Sequence, residues 1–175
     1  MKKQDISEKV VNLAYLSIGT NLGNKLLNIK KAKELIEING IKITISSSLY
    51  KTPSWPNKNF PEFLNTVIKV KTAERIETLF KKIKNIEKKL GRKKSKKNYP
   101  RVCDIDIIDF NNKIVNSRIN DNNIIVPHKR MHTRNFVLFP LFEINRNWTH
   151  PKLKKNIVKL LSELSFIDLS SITKL

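Results

Sequence analysis

Two aspartates separated by one residue, Asp104 and Asp106, are the strongest chemical signal in this 175-residue chain. They lie in the apolar run V-C-D-I-D-I-I, which is typical of a β-strand. Side chains two positions apart on a strand point to the same face, so the two α carbons would lie about 6 to 7 Å apart. Mg²⁺ prefers such oxygen ligands and shares them with substrate phosphates. The pattern predicts a magnesium site, with two solvated aspartates on an edge strand as the alternative.

Three arginines accompany the aspartates in the sequence. Arg92 and Arg101 bracket a basic stretch directly before them, and Arg134 lies downstream. A guanidinium group binds phosphate oxygens in pairs and stays charged at every relevant pH. Phosphoryl transfer depends mainly on positioning and on charge stabilisation, which this grouping would supply. A solvated basic loop is the alternative reading in a chain this rich in lysine.

Several other side chains are suited to binding a flat ring or a nucleotide. Phe63, Phe136 and Trp55 offer stacking surfaces, although core packing is the commoner role of phenylalanine. Asn65 lies on the same predicted strand face as Phe63 and offers an amide to a ring edge. His128 is interpreted as structural unless a phosphate or metal lies nearby. The chain has neither a G-x-x-x-x-G-K-[ST] nor a G-x-G-x-x-G motif, so an ATP site here is of another kind.

Hydrophobic periodicity predicts the elements that position these residues. Strands are expected over 12–19, 41–49, 63–71 and 102–110, and helices over 24–38 and 76–90. Their order, βαββαβ, predicts a ferredoxin-like α+β fold with an antiparallel sheet. Two additional C-terminal helices are expected at about 135–144 and 153–164. Two segments between the elements are read as loops, a proline-rich one at 52–61 and a mobile basic one at 92–99. A polar insertion at 116–123 has no functional account.

Composition limits the class of protein. The net charge of +20 makes nucleic acid a natural suspect, but the lysines are scattered from Lys2 to Lys174 as a general bias would scatter them. An RNA-binding module of the same topology is the alternative, yet its aromatic R/K-G-F motif does not occur. The single cysteine, Cys103, excludes an intramolecular disulfide and a Cys-rich zinc site. We expect one domain over 1–175 with its core at about 13–165, cytoplasmic, monomeric, and without nucleic-acid or membrane partners.

Several segments together resemble the 6-hydroxymethyl-7,8-dihydropterin pyrophosphokinases of folate biosynthesis. They are A-Y-L-S-I-G-T-N-L-G-N (14–24), S-S-L-Y-K-T-P (47–53), F-L-N-T-V (63–67), P-R-V-C-D-I-D-I-I (100–108), V-P-H (126–128) and R-M-H-T-R-N-F-V-L-F-P-L (130–141). The combination is highly specific, whereas each segment alone is not. The resemblance implies an ATP-dependent transferase of ferredoxin-like fold that moves pyrophosphate from ATP to a reduced pterin and releases AMP.

The resemblance also implies roles for individual residues. Catalysis is assigned to Arg92, Arg101, Asp104 and Asp106, and the two aspartates would hold two Mg²⁺ ions along the triphosphate. The ATP site is assigned to Glu87, Arg92, Arg101, Ile107, His128 and Arg134. The pterin site is assigned to Thr52, Pro53, Trp55, Phe63, Asn65 and Phe136. Phe63 stands where many members of the family carry tyrosine, a change that keeps a stacking surface.

Overall fold

The centre of the fold is a three-stranded antiparallel unit. The computed structural model describes residues 10–92, 98–119 and 122–175. Within them, β1 (Asn12–Thr20) lies between β4 (Phe63–Thr72) and β5 (Asp104–Phe110). Each of these strands is an apolar run, as the sequence predicted, and β1 pairs with β4 along its whole length. Since β1 is hydrogen-bonded to a strand along each of its edges, its position in the sheet is fixed by two registers.

The other edge of the sheet is built from shorter strands. The stretch predicted as one strand over 41–49 is divided into β2 (Lys42–Ser46) and β3 (Tyr50–Thr52), which both pair with β4. An irregularity between Ile43 and Ile45 shifts the register of β2. A bulge of this kind breaks the alternation on which the prediction of a single strand rested. A short C-terminal strand, β8 (Thr173–Lys174), extends the sheet beyond β3 and was not predicted.

One face of the sheet is covered by two helices that the sequence predicted well. They are α1 (Lys25–Ile38) and α2 (Ile76–Lys89), and their apolar sides share one core with β1 and β5. The side chain of Asn24 caps α1 by accepting a hydrogen bond from the backbone N–H of Leu27 at 3.1 Å. The strand order β5-β1-β4, with β2 on the far side of β4, completes the ferredoxin-like arrangement.

The opposite face is covered by C-terminal helices. The helix α3 (Asn135–Ile144) has the predicted bounds, and it packs with α4 (Ile157–Ser162) on the sheet through a second core cluster. The helix predicted over 153–164 begins only at Ile157, because Asn156 caps it through the N–H of Lys159 at 2.8 Å. Both faces of the sheet are therefore buried, one by α1 and α2 and the other by α3 and α4.

The remaining elements are short, and the sequence did not predict them. The described residues of the polar insertion 116–123 belong to β6 (Val115–Ile119) and β7 (Asn122–Val126), which pair as an antiparallel hairpin. A single 3-10 turn (Met131–Thr133) precedes α3, and α5 (Phe166–Ser170) precedes β8. Much of the basic stretch predicted to be a mobile loop, 93–97, lies outside the described residues. Within the described part of the chain, every helix is too short or too polar to cross a membrane.

Candidate active site

The strand β5 presents Asp104 and Asp106 on one face and Ile105 and Ile107 on the other. Ile105 and Ile107 are buried in the core beneath α1 and α2. Asp104 and Asp106 keep 23% and 31% of their side-chain surfaces exposed. Both carboxylates are therefore held at the surface of a rigid strand and remain open to a ligand.

The registers of three strands place two predicted site residues, Asn65 and Asp104, in one row across the sheet. Gly19 on β1 lies directly opposite Asn65 on β4 and directly opposite Asp104 on β5. Two residue pairs further along, and on the same face, Ser17 lies opposite Asp106. Neighbouring strands are about 4.8 Å apart, so the α carbons of Asn65 and Asp104 are separated by about 10 Å. Because Gly19 has no side chain, the sheet has an open floor between an amide and a carboxylate.

Asp104 is held by two arginines. Nη1 of Arg92 donates to one carboxylate oxygen at 2.5 Å, and Nη1 of Arg101 donates to the other at 2.7 Å. Burial raises the pKa of Asp104, but the charges of Arg92 and Arg101 outweigh burial and hold it below its ordinary value. Asp104 is therefore charged at neutral pH, and both arginines are already gathered beside it.

Arg92 is also anchored from below by Glu87. The Glu87 carboxylate, 2% exposed, accepts from Arg92 and from the backbone N–H of Ile105 at 2.7 Å, and it pairs with Lys84 at 2.9 Å. Burial raises the pKa of Glu87, against the opposing effect of Lys84 and Arg92. Glu87, assigned to the ATP site from the sequence, thus lies beneath that site and fixes both a basic residue and the start of β5.

Asp106 has a looser partner. Its carboxylate lies 3.5 Å from Nη1 of Arg134, the residue that precedes α3. His128 is half-buried nearby, and its Nδ1 accepts a hydrogen bond from the backbone N–H of Arg130 at 3.3 Å. Burial lowers the pKa of His128, so the ring is predominantly neutral at neutral pH.

Two phenylalanines flank the charged groups. The guanidinium of Arg101 lies 5.9 Å from the ring centre of Phe63, and that of Arg134 lies 5.4 Å from the ring centre of Phe136. Arg101 and Arg134 therefore each contact both an aspartate and an aromatic ring. Flat rings beside cations suit an aromatic ligand that carries, or lies next to, a phosphate.

The remaining predicted pterin residues lie on β3, on the neighbouring β4 and in the loop after β3. Nδ2 of Asn65 donates to Oγ1 of Thr52 at 3.0 Å, which fixes the orientation of the amide. Asn65 and Thr52 are both buried beside Phe63. Trp55 is different, because 71% of its surface is exposed. The structure therefore brings Thr52, Phe63 and Asn65 together and leaves Trp55 on the outside.

A cavity of about 120 Å³ adjoins Asp106 at the edge of β5. It is lined by α2, β5, β7 and the segment after β7, with Ile107 and His128 among the predicted residues and Phe80 and Lys84 among those that sequence reasoning missed. A larger cavity of about 470 Å³ lies at the opposite ends of β1 and β5 and contains none of the predicted site residues. Chemistry rather than size therefore identifies the smaller cavity as part of the site.

The carboxylate pair suits Mg²⁺, which shares its ligands between protein and substrate, better than it suits a metal ion bound by protein side chains alone. Among residues 10–92, 98–119 and 122–175, no group of three or more His, Cys, Asp or Glu side chains is arranged to hold a metal ion. Mg²⁺ is usually bound through one or two carboxylates, water and substrate phosphates. Two partly exposed carboxylates beside arginines meet that requirement, and the sequence prediction of a magnesium site is consistent with this geometry.

Comparison with known proteins indicates the same family as the sequence motifs. The model of the 7,8-dihydro-6-hydroxymethylpterin-pyrophosphokinase (HPPK) family matches residues 15–146. A 2-amino-4-hydroxy-6-hydroxymethyldihydropteridine pyrophosphokinase from Aquifex aeolicus is 35% identical over 149 residues, which cover 85% of this chain and 90% of that protein. The region matched by the family model, residues 15–146, contains every predicted site residue.

Other relatives are much longer than this chain. The folic acid synthesis protein fol1 of Pneumocystis carinii is 37% identical over 158 residues, 90% of this chain but only 21% of that protein. The wild-type HPPK-DHPS of Plasmodium falciparum superposes with a TM-score of 0.72 over 90% of this chain and 45% of that one. At 18% identity, that likeness concerns the fold, and it agrees with a ferredoxin-like core.

Proposed function

The chain belongs to the 7,8-dihydro-6-hydroxymethylpterin-pyrophosphokinase family, and from that premise we propose that it transfers pyrophosphate from ATP to 6-hydroxymethyl-7,8-dihydropterin. The products are the pterin diphosphate and AMP. The observation that carries the proposal is the row of Asn65, Gly19 and Asp104 across three paired strands. In this row, the α carbon of Asn65, whose amide is suited to reading a ring edge, lies about 10 Å from that of Asp104, the carboxylate proposed to hold Mg²⁺. This row supports a reacting hydroxymethyl group that lies over Gly19, the open floor between the two side chains.

The pterin lies over this floor in the proposed complex. Phe63 and Phe136 stack on its ring, and Asn65, held by Thr52, hydrogen-bonds to its edge. The backbone at Pro53 and the exposed ring of Trp55 complete the pterin side of the site. A ring held in this way has only its hydroxymethyl group directed towards Asp104 and the phosphates.

ATP occupies the adjoining cavity at the edge of β5. Ile107 and His128 contact the nucleotide, and Lys84, which also lines this cavity, adds a positive charge. Arg134 binds a phosphate from the α3 side. A neutral His128 donates a hydrogen bond to a phosphate oxygen through the ring nitrogen that does not face Arg130.

Asp104 and Asp106 would together hold two Mg²⁺ ions, which neutralise charge on the triphosphate and on the leaving AMP. Arg92 and Arg101 lie against Asp104. When phosphates enter, both guanidinium groups are close enough to transfer hydrogen bonds from Asp104 to the pyrophosphoryl oxygens. The pterin hydroxyl oxygen attacks the β-phosphorus and loses its proton to solvent, the bond from the β-phosphorus to the α-β bridging oxygen breaks, and AMP leaves with that oxygen. The chain's own contribution is positioning and charge stabilisation.

The proposal extends to the molecule as a whole. Residues 1–175 act as one domain and as a monomer in the cytoplasm, with the catalytic unit at about 13–165. The matched family region, 15–146, lies almost entirely within that unit. The single, buried cysteine, Cys103, is compatible with a reducing compartment.

The decisive experiment is to mix the purified protein with ATP, Mg²⁺ and 6-hydroxymethyl-7,8-dihydropterin and to quantify AMP, with a control that lacks the pterin. Pterin-dependent AMP release supports the proposed reaction. ADP as the product would mean γ-phosphoryl transfer instead. A folded protein that yields no nucleotide product would refute the proposal, provided that the Aquifex aeolicus relative is active under the same conditions.

A further inference from the structure

Asn21 joins three segments of the site through a single side chain. It follows β1 directly and is 2% exposed. Its Nδ2 donates to Oγ of Ser54 at 3.1 Å and to the carbonyl oxygen of Pro61 at 3.1 Å. Its Oδ1 accepts from the backbone N–H of Arg101 at 2.8 Å, and its own N–H donates to the carbonyl oxygen of Arg101 at 3.2 Å. Both ends of the amide are thus used, in opposite directions.

The two halves of this contact reach functionally different parts of the molecule. The substrate loop, residues 53–62, connects β3 to β4 and is closed near both ends by Ser54 and Pro61, which also contact each other at 2.6 Å. Arg101 contacts Asp104 at 2.7 Å and lies over Phe63. Asn21 is therefore the shared partner of the loop beside the pterin and of the arginine beside the metal ligand.

We propose that Asn21 is a positioning residue that couples the substrate loop to Arg101, so that closing the loop on the pterin sets the arginine for transfer. This inference rests on the proposed function for the meaning of the two partners. An amide is the side chain that the geometry requires, because one end must donate twice and the other must accept. The contact is buried, so water does not replace a lost partner without cost.

Three variants separate the two halves. Asn21→Asp keeps the acceptor for Arg101 but removes the donor to the loop, and it should raise KM for the pterin about tenfold while kcat changes less. Ser54→Ala removes one acceptor in the loop and leaves Asn21 itself unchanged, and it should also raise KM for the pterin. Asn21→Ala removes both side-chain halves and should also lower kcat about tenfold. Asn28→Ala is the matched control, because Asn28 contacts Thr20 and Leu22 in the same connection and should leave both constants nearly unchanged.

A double-mutant cycle tests whether Asn21 acts through Arg101. If it does, Asn21→Ala lowers kcat about tenfold in the wild-type background but less than about twofold in an Arg101→Ala background. A general loss of structure would lower kcat by the same factor in both backgrounds, and that result would overturn the proposal.

Hydrogen exchange supplies a readout that does not depend on activity. In the protein without substrates, Ser54→Ala should speed amide exchange in the substrate loop and also in residues 98–103, because loosening one half of the contact frees the other. Faster exchange in the loop alone would refute the coupling even if the enzyme is active. Absence of AMP release by the wild-type protein, with coupled exchange still present, would refute the proposed function and not the coupling.

Discussion

At the level of single residues, the two aspartates of β5 differ in how firmly they are held. Asp104 accepts short hydrogen bonds from Arg92 and Arg101, whereas Asp106 faces Arg134 at 3.5 Å. Charge-assisted hydrogen bonds at short distance contribute to folding, while a longer and more exposed ion pair contributes little. Asp104 therefore has a structural role beside its proposed catalytic one, whereas the proposed role of Asp106 is almost entirely that of a metal ligand.

Replacing each aspartate by asparagine should separate the two roles. Both variants should lose Mg²⁺-dependent AMP release. Asp104→Asn should also lower the free energy of unfolding by about 1 to 3 kcal/mol, whereas Asp106→Asn should change it by less than about 0.5 kcal/mol. The measurement is urea unfolding at pH 7 with EDTA present. Equal losses of stability would contradict the assignment of both arginines to Asp104.

The pH dependence of the Asp104 effect has a definite sign. The pKa of Asp104 is lower in the folded state than its ordinary value. A carboxyl of this kind stabilises the fold above its unfolded pKa, and the contribution is lost as the pH falls through the folded pKa. The stability difference between the wild type and Asp104→Asn should therefore shrink when the same unfolding curves are measured at increasingly acidic pH.

Replacing glycine by alanine should affect pterin binding at Gly19 but stability at Gly40. A Cβ on Gly19 would lie 3.0 Å from Oδ1 of Asn65 and 3.7 Å from Cδ1 of Phe63. A Cβ on Gly40 would meet nothing within 4 Å, but Gly40 has a φ of +77°. Gly19→Ala should raise KM for the pterin about tenfold by displacing the amide, and Gly40→Ala should instead cost about 1 kcal/mol of stability. Steady-state kinetics and thermal unfolding of both variants test the pair, and an unchanged pterin KM in Gly19→Ala would contradict the open floor.

At the level of elements, the sequence predicted those whose periodicity is strong and locally capped. The helix α1 has its cap at Asn24 and its stop at Gly40, and the bounds of α3 were predicted correctly. The hairpin of β6 and β7 was missed because its apolar residues do not alternate with polar ones: β6 has only Val115 and Ile119, and those of β7 are consecutive at its end. The strand β8 has two residues, and its pairing with β3 is a long-range contact that no local pattern encodes.

The candidate site shows the same division. Asp104, Asp106, Arg92 and Arg101 could be predicted as candidates because their side chains are chemically distinctive and lie close in sequence. Lys84 was missed because one lysine among many on a helix gives no signal of its own. Asn21 was part of a recognised motif, but its partners, Ser54, Pro61 and Arg101, are 33, 40 and 80 positions away. Contacts at such separations follow from the strand registers and are not visible in a single sequence.

The turn before α4 predicts a measurable pH dependence of stability. His150 is 4% exposed, and its Nδ1 accepts from the N–H groups of Lys152 and Leu153 at 3.2 Å. Burial and the nearby His132 lower the pKa of His150 from 6.5 to about 4. Between pH about 6.5 and about 4, His150 is therefore protonated in the unfolded chain and neutral in the folded chain. The free energy of unfolding should fall as the pH drops through this range.

An uncharged substitute should remove that dependence. The side-chain oxygen of asparagine reaches a position similar to Nδ1 of histidine, so His150→Asn should keep the turn and flatten the loss of stability between pH 6.5 and 4. The check is the urea midpoint at pH 7 and at pH 4.5 for both proteins. A slope that persists unchanged in the variant would assign the effect to other groups.

At the level of the whole molecule, the site collects residues from separate parts of the fold at one end of the sheet. Arg92 follows α2, the aspartates begin β5, Arg134 precedes α3 and Phe63 begins β4. Rigid elements thus end where the reacting groups meet, which is how a sheet holds a site that needs accurate positioning. The acidic side chains at this end, Glu87, Asp104 and Asp106, are each paired with an arginine. They therefore do not offset the positive charge that the rest of the chain contributes around the proposed ATP site.

This excess charge should attract ATP from a distance. With 35 Lys and Arg against 15 Asp and Glu, the chain carries a net charge of +20. Attraction of an anionic substrate raises its association rate and is screened by salt, whose Debye length falls from about 10 Å at 0.1 M to about 3 Å at 1 M. Raising KCl over that range should lower kcat/KM for ATP several-fold. The pterin is uncharged and serves as the internal control, because its kcat/KM at saturating ATP should change much less. A parallel fall for both substrates would mean that salt perturbs the folded protein, and the charge of the chain would then have no role in capturing ATP.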